Sequence, residues 1–117
     1  MSLERIIKGK EGEDDAVKYL ISERYSIIAR NYRTRFGEID IIARSGGTVA
    51  FVEVKKRLGA GYGAPEEAVD FRKCAKIVKT ALMYIRLNKL QDSNLRFDVV
   101  AIKVKNGLKI IEHLKDA

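Results

Sequence analysis

The chain has 117 residues, enough for one domain whose hydrophobic core needs no disulfides. Apolar residues make up 46% and charged residues 33%, which excludes bulk disorder, and the longest apolar run (81–85) falls far short of the roughly 18 residues of a membrane span. Twenty-three Lys and Arg against sixteen Asp and Glu leave a net charge of +7, which favours a polyanionic partner, nucleic acid ahead of an anionic membrane. A lone cysteine, Cys74, excludes an internal disulfide, and residues 1–5 lack the apolar stretch of a secretory signal, so the cytoplasm is the expected compartment.

Ala16, Val17, Leu20 and Ile21 recur at helical spacing and predict a helix over 4–23, with Gly9 and Gly12 loosening its first turns. A short strand is expected at 26–29. In the basic stretch that follows, Arg30, Arg33 and Arg35 interleave with Tyr32 and Phe36, a pattern suited to backbone and stacking contacts with nucleic acid, although Phe36 reads better as core. Gly37 opens a hairpin with arms at 38–43 and 49–55 about a Ser45-Gly46-Gly47-Thr48 turn. A glycine-rich loop at 59–64 leads to a helix start at Pro65-Glu66-Glu67.

The long helix is expected to bury Cys74, Ile77, Val78, Ala81, Leu82 and Ile85. Its opposite face carries Arg72, Lys76, Lys79 and Arg86, with Lys73 beside them. That stripe suits phosphate contacts, and Lys56 and Arg57 at the end of the hairpin join the expected nucleic-acid set. A strand at 95–104, a tight Asn106-Gly107 turn and a strand at 108–112 complete the chain, with His113 at a surface strand end. The order is α-β-β-β-α-β-β: one α/β domain over 1–117, a mixed β-sheet flanked by helices. Gly59, Gly61 and Ala64 match a dinucleotide fingerprint, but 79–89 holds no acid where that motif needs one, and nucleotide binding is set aside.

The hairpin carries the chemistry. If Gly46-Gly47 is a two-residue turn, paired positions sum to 93, which puts Asp40 opposite Glu53 and Glu38 opposite Lys55. Alternation then gathers three carboxylates and one ammonium on one face. Like charges so placed repel unless a cation lies between them, and Mg²⁺ suits one or two carboxylates plus substrate phosphate. The alternative is a solvated lattice in which Glu38 pairs with Lys55. Glu13 precedes Ala16 and Val17 by three and four residues and so lies on the buried line of the first helix.

Asp40 followed thirteen residues later by Glu53-Val54-Lys55 resembles the motif of the PD-(D/E)XK nuclease superfamily. Taken with Gly12-Glu13, Asn31-Tyr32-Arg33, Gly37-Glu38-Ile39-Asp40, Phe51-Val52 and Arg96-Phe97-Asp98-Val99-Val100, it looks like the YraN-type family of small bacterial proteins, which is similar to archaeal Holliday-junction resolvases. Ile39 stands where the superfamily motif has proline, a position without a chemical role. The resemblance implies a restriction-endonuclease-like three-layer sandwich and Mg²⁺- or Mn²⁺-dependent hydrolysis of phosphodiester bonds in DNA, branched or junction DNA in particular. By position it makes Asp40 and Glu53 metal ligands, Lys55 the catalytic lysine and Glu13 the helix acid, expected at the metal site to bind a second ion or hold a metal-bound water. DNA is the expected partner, with RNA an open alternative, and junction cutting favours a symmetric homodimer because two strands must be cut. Two rival expectations stand beside it: a non-cleaving nucleic-acid-binding module with the nuclease fold, and an adaptor whose basic faces bind an acidic protein.

Overall fold

The computed structural model describes residues 3–58 and 71–116. The glycine-rich loop and the helix start expected at Pro65 lie outside them. The elements are α1 (Leu3–Ser22), β1 (Ser26–Thr34), β2 (Gly37–Ser45), β3 (Thr48–Leu58), α2 (Phe71–Leu87), β4 (Asn94–Lys105) and β5 (Leu108–Leu114). The α-β-β-β-α-β-β order is as the sequence predicts, and among the described residues no helix is long and apolar enough to cross a membrane. β1 is longer than expected. Most of the basic stretch, residues 30–34, is the second half of the strand, hydrogen-bonded to β2 as far as Thr34–Gly37.

The five strands lie in sequence order, β1-β2-β3-β4-β5. All neighbours are antiparallel except β3 and β4, which run parallel, Thr48 opposite Asn94 through Leu58 opposite Val104. That pairing needs a crossover, which α2 supplies. One sheet face packs Ile41, Ala43, Ala50, Val52, Val100 and Ile102 against Ala16 and Leu20 of α1. The other packs Ile39, Ile42, Val49 and Phe51 against Ala81, Tyr84 and Ile85 of α2. The result is three layers, and the central strands read as near-continuous apolar runs because both their faces are covered.

Two glycines set how closely the helices sit. A Cβ on Gly37 would lie 3.3 Å from both Lys76 Cβ and Thr80 Oγ1, so its absence lets α2 settle onto the start of β2. Gly12 does not loosen α1: it is buried, and a Cβ there would meet Lys56 Cβ at 3.3 Å. Because α2 rests on Gly37 along Lys76 and Thr80, its buried line is rotated from the expected one. Thr80, Ala81, Tyr84 and Ile85 face inward, while Cys74 is exposed and Val78 and Leu82 are 41% and 56% exposed.

Candidate metal centre

The hairpin register is the expected one, from Ser45–Thr48 to Ile41–Val52, with Gly46 at φ +58° in the turn. The ladder then stops. β2 goes on pairing with β1 through Glu38, while β3 stays with β4. Asp40 and Glu53 therefore stand where the two strands part. The Val54 N–H donates to Asp40 Oδ2 at 2.8 Å, so a side chain takes the place of a backbone acceptor at the fork. Asp40 and Glu53 lie within hydrogen-bonding reach of each other.

Burial, then the Glu53 charge, raises the Asp40 carboxyl to about 7, and the Val54 N–H only partly offsets this. Near neutrality the metal-free pair thus holds one proton for much of the time. Glu53 is 9% exposed and accepts from two ammonium groups at Oε1: Lys55 at 3.3 Å and Lys73, which reaches it from α2. Burial, then the neighbouring Lys73, lowers the Lys55 pKa. Burial opposes the charge on Lys73, but the hydrogen bonds to Glu53 and Lys55 and the charges of Glu53 and Asp40 together outweigh it, and the pKa rises.

The centre opens into a polar cavity of about 210 Å³ lined by Gly37, Glu38, Asp40, Glu53, Lys73, Lys76 and Ile77. On its other side Glu53 borders an apolar cavity of about 210 Å³ that includes Phe51, Ile77, Val78 and Phe97. Glu38 does not pair with Lys55; it meets Arg33 across β1 at 3.4 Å. Glu13 stands at the edge, its Oε1 accepting from Asn31 Nδ2 at 2.8 Å and Arg30 Nε at 3.3 Å, although its charge still contributes to raising Asp40. Asn31 makes this contact from a left-handed backbone, φ +53°. Among the described residues no three His, Cys, Asp or Glu side chains cluster tightly enough to hold a metal ion. The donor set is the Asp40–Glu53 pair, which suits Mg²⁺, an ion that keeps several waters and binds through one or two carboxylates.

The expected nucleic-acid residues divide into two groups. Arg30 is tied to Glu13 and Asp14, Arg33 to Glu38, and Lys56 to Glu11. Arg72, Lys76 and Lys79 are exposed on α2, and Arg35 and Lys79 both lie over the Phe36 ring, at 4.9 and 6.0 Å. The side chain of Arg57 lies outside the described residues. Tyr32 is partly buried and packs against the core, edge-on to Tyr84 at 5.1 Å. Lys73 belongs with the carboxylates, a placement its position in the basic stripe conceals.

A second polar cluster lies on the α1 face. His113 is not a surface residue: its side chain is 5% exposed, with Nε2 2.7 Å from Asp98 Oδ2 and Nδ1 3.0 Å from the Tyr19 hydroxyl. Arg96 donates twice to Asp98, each at 2.8 Å, and its Nη2 also donates to the Tyr25 hydroxyl at 2.5 Å. Burial pushes Asp98 upward, but the bonds from His113, Arg96 and the Asp116 N–H overcome it and hold the carboxyl at about 2. This cluster ties α1 to β4 and β5. The spacing of Arg96 and Asp98 on one strand face was its only local signal.

The model of the uncharacterised protein family UPF0102 matches residues 12–102 of this chain. A UPF0102 protein of Persephonella marina is 49% identical over 111 residues, covering 95% of this chain and 92% of that protein. One from a Sulfurihydrogenibium species is 47% identical over 115 residues, covering 98% and 96%. One from Geobacter metallireducens is 44% identical over 117 residues, covering 100% and 96%.

Proposed function

The chain belongs to family UPF0102, and from that premise we propose that it binds nucleic acid and hydrolyses phosphodiester bonds in DNA with Mg²⁺ or Mn²⁺, as a PD-(D/E)XK-type endonuclease whose substrate class is branched DNA. The observation that carries the reading is the fork between β2 and β3. It holds two carboxylates side by side, one with its pKa raised to about 7, next to a lysine whose own pKa is lowered. Buried like charges are costly, and a site that keeps them is a candidate for function.

Asp40 and Glu53 would hold the ion, which supplies Lewis-acid polarisation of a phosphate oxygen and a more acidic bound water. Lys55 lies 3.3 Å from Glu53 and is only 17% exposed. Its lowered pKa brings the amine closer to accepting a proton from an attacking water, and its charged form neutralises the developing phosphorane. Lys76 and Lys79 on α2, with Arg35 beside them, would hold the strand across the mouth of the polar cavity.

The non-cleaving alternative has two observations in its favour: Glu53 is already neutralised by two lysines, and Glu13 is engaged by Arg30 and Asn31. A cleavage panel on linear, nicked, flapped and four-way DNA with Mg²⁺ or Mn²⁺, run beside Glu53→Gln, decides. Cleavage that Glu53→Gln abolishes supports the endonuclease. Salt-sensitive binding without cleavage supports the non-cleaving module, and neither cleavage nor binding overturns both.

A further inference from the structure

Glu53 enters the centre between two ammonium groups that reach the same oxygen from different elements. A divalent ion that takes this oxygen has to compete with both ammonium groups for it. The two lysines differ in what they can do next. Lys55 sits on β3 two residues from Glu53 and is 17% exposed, whereas Lys73 is 39% exposed on the rim of the polar cavity. Its four-carbon stem lets the ammonium swing outward without any backbone change. The helix does not depend on this contact for its position. Gly37 seats it against Lys76 and Thr80, and the Thr80 hydroxyl bonds the Lys76 carbonyl at 2.8 Å and lies 3.4 Å from the Thr34 hydroxyl.

We propose that Lys73 is the resident counter-ion of this centre: it neutralises Glu53 in the metal-free protein, is displaced by the divalent cation, and then takes a phosphate oxygen of the bound strand. This rests on the metal-centre reading above. With Lys55 and Lys73 both charged, an added divalent ion leaves the cavity with excess positive charge. Outward movement of Lys73 and arrival of a phosphodiester anion both relieve it. Cation and strand therefore bind with positive coupling, each tightening the other.

Calorimetric titration of the full chain with Mn²⁺ alone at pH 8 tests the displacement, and strand binding with and without Ca²⁺ tests the coupling. Lys73→Met should bind Mn²⁺ about fivefold more tightly than wild type. Lys76→Met removes a charge from the same cavity without a Glu53 contact, and should change the affinity by less than about twofold. The tightening of strand binding by Ca²⁺ should be present in wild type and smaller in Lys73→Met, where the ion alone meets the phosphate. Lys73→Gln, a second uncharged side chain at this half-exposed position, should repeat both results. Unchanged Mn²⁺ affinity in the Lys73 variants, or equal tightening in the Lys73 and Lys76 variants, overturns the proposal while leaving the metal centre standing. Absence of Mn²⁺ binding in every protein overturns the metal centre, and this inference with it.

Discussion

Asp40→Asn is the sharpest test of the centre, because it keeps the shape and removes the charge. The Asn amide oxygen can still accept the Val54 N–H, and its NH₂ can donate to Glu53 as the protonated carboxyl does. Raising a carboxyl from about 4 to about 7 weakens the fully ionised native state by at most about 4 kcal/mol. Water reaches this half-buried group, so the expected gain on removing its charge is about 1–2 kcal/mol.

The sign follows from proton binding. The folded chain holds the Asp40 proton more tightly than the unfolded chain, so this group's stabilisation is full below about pH 4 and is lost as pH rises through about 7. Metal-free Asp40→Asn should therefore melt roughly 3–8 °C above wild type at pH 8, and within about 2 °C of it at pH 4.5. Saturating Mn²⁺, at about 100 times its dissociation constant, should stabilise wild type at pH 8 by about 2.7 kcal/mol and leave Asp40→Asn unmoved. Scanning calorimetry at the two pH values, with and without Mn²⁺, reads all of this. An Asp40→Asn protein that melts well below wild type at pH 8 would show that Asp40 serves the fold as an anion. Full Mn²⁺ stabilisation of that variant would place the cation elsewhere.

Lys55→Ala should retain or strengthen Mn²⁺ binding, because a nearby positive charge is gone, while cleavage falls at least about a hundredfold; calorimetry beside single-turnover assays checks both. Arg72→Ala with Lys76→Ala should lower the slope of log affinity against log salt by about 2 with an unchanged melting temperature, and an unchanged slope would mean that α2 does not meet the phosphates. Asp98→Asn should cost about 3 kcal/mol or more in urea unfolding, since Arg96 loses its buried counter-charge. In wild type the Asp98 contribution should be present above about pH 4 and decline as pH falls toward about 2.

The hairpin and its carboxylates were legible because their geometry is local. A two-residue turn at Gly46-Gly47 fixes every pairing up to Ile41–Val52, and period-two alternation does the rest. The fork was not legible, because it depends on β3 preferring β4, a partner 46 positions away at Thr48–Asn94. The contact of Lys73 with Glu53 was not legible for a related reason: its polarity groups it with Arg72 and Lys76, and the close approach at Gly37 is what turns it toward the carboxylates. His113 is adjacent to nothing in sequence that would bury it; Asp98 and Tyr19 come to it through β4–β5 pairing and the packing of α1. Cys74, apolar by composition, ended on the exposed side of the same rotation.

The mixed pairing of β3 also sets an order of assembly. Its bonds to β2 close across a two-residue turn, whereas those to β4 must wait for the whole α2 crossover to form a loop. Both carboxylates are thus brought together by an early, local event, before the helix that brings Lys73 has docked. During that interval their repulsion acts on the open end of the hairpin, beyond Ile41–Val52, where no backbone ladder holds the strands together. The kinetic signature would be φ-values near zero for substitutions at Lys73 and β4, and high ones around the Gly46-Gly47 turn. On a ribosome the same order holds by direction of synthesis, with residue 58 emerging well before residue 73. A nascent chain therefore carries its acidic pair through a stage at which Lys55, on the same strand, is there to offset it but Lys73 is not.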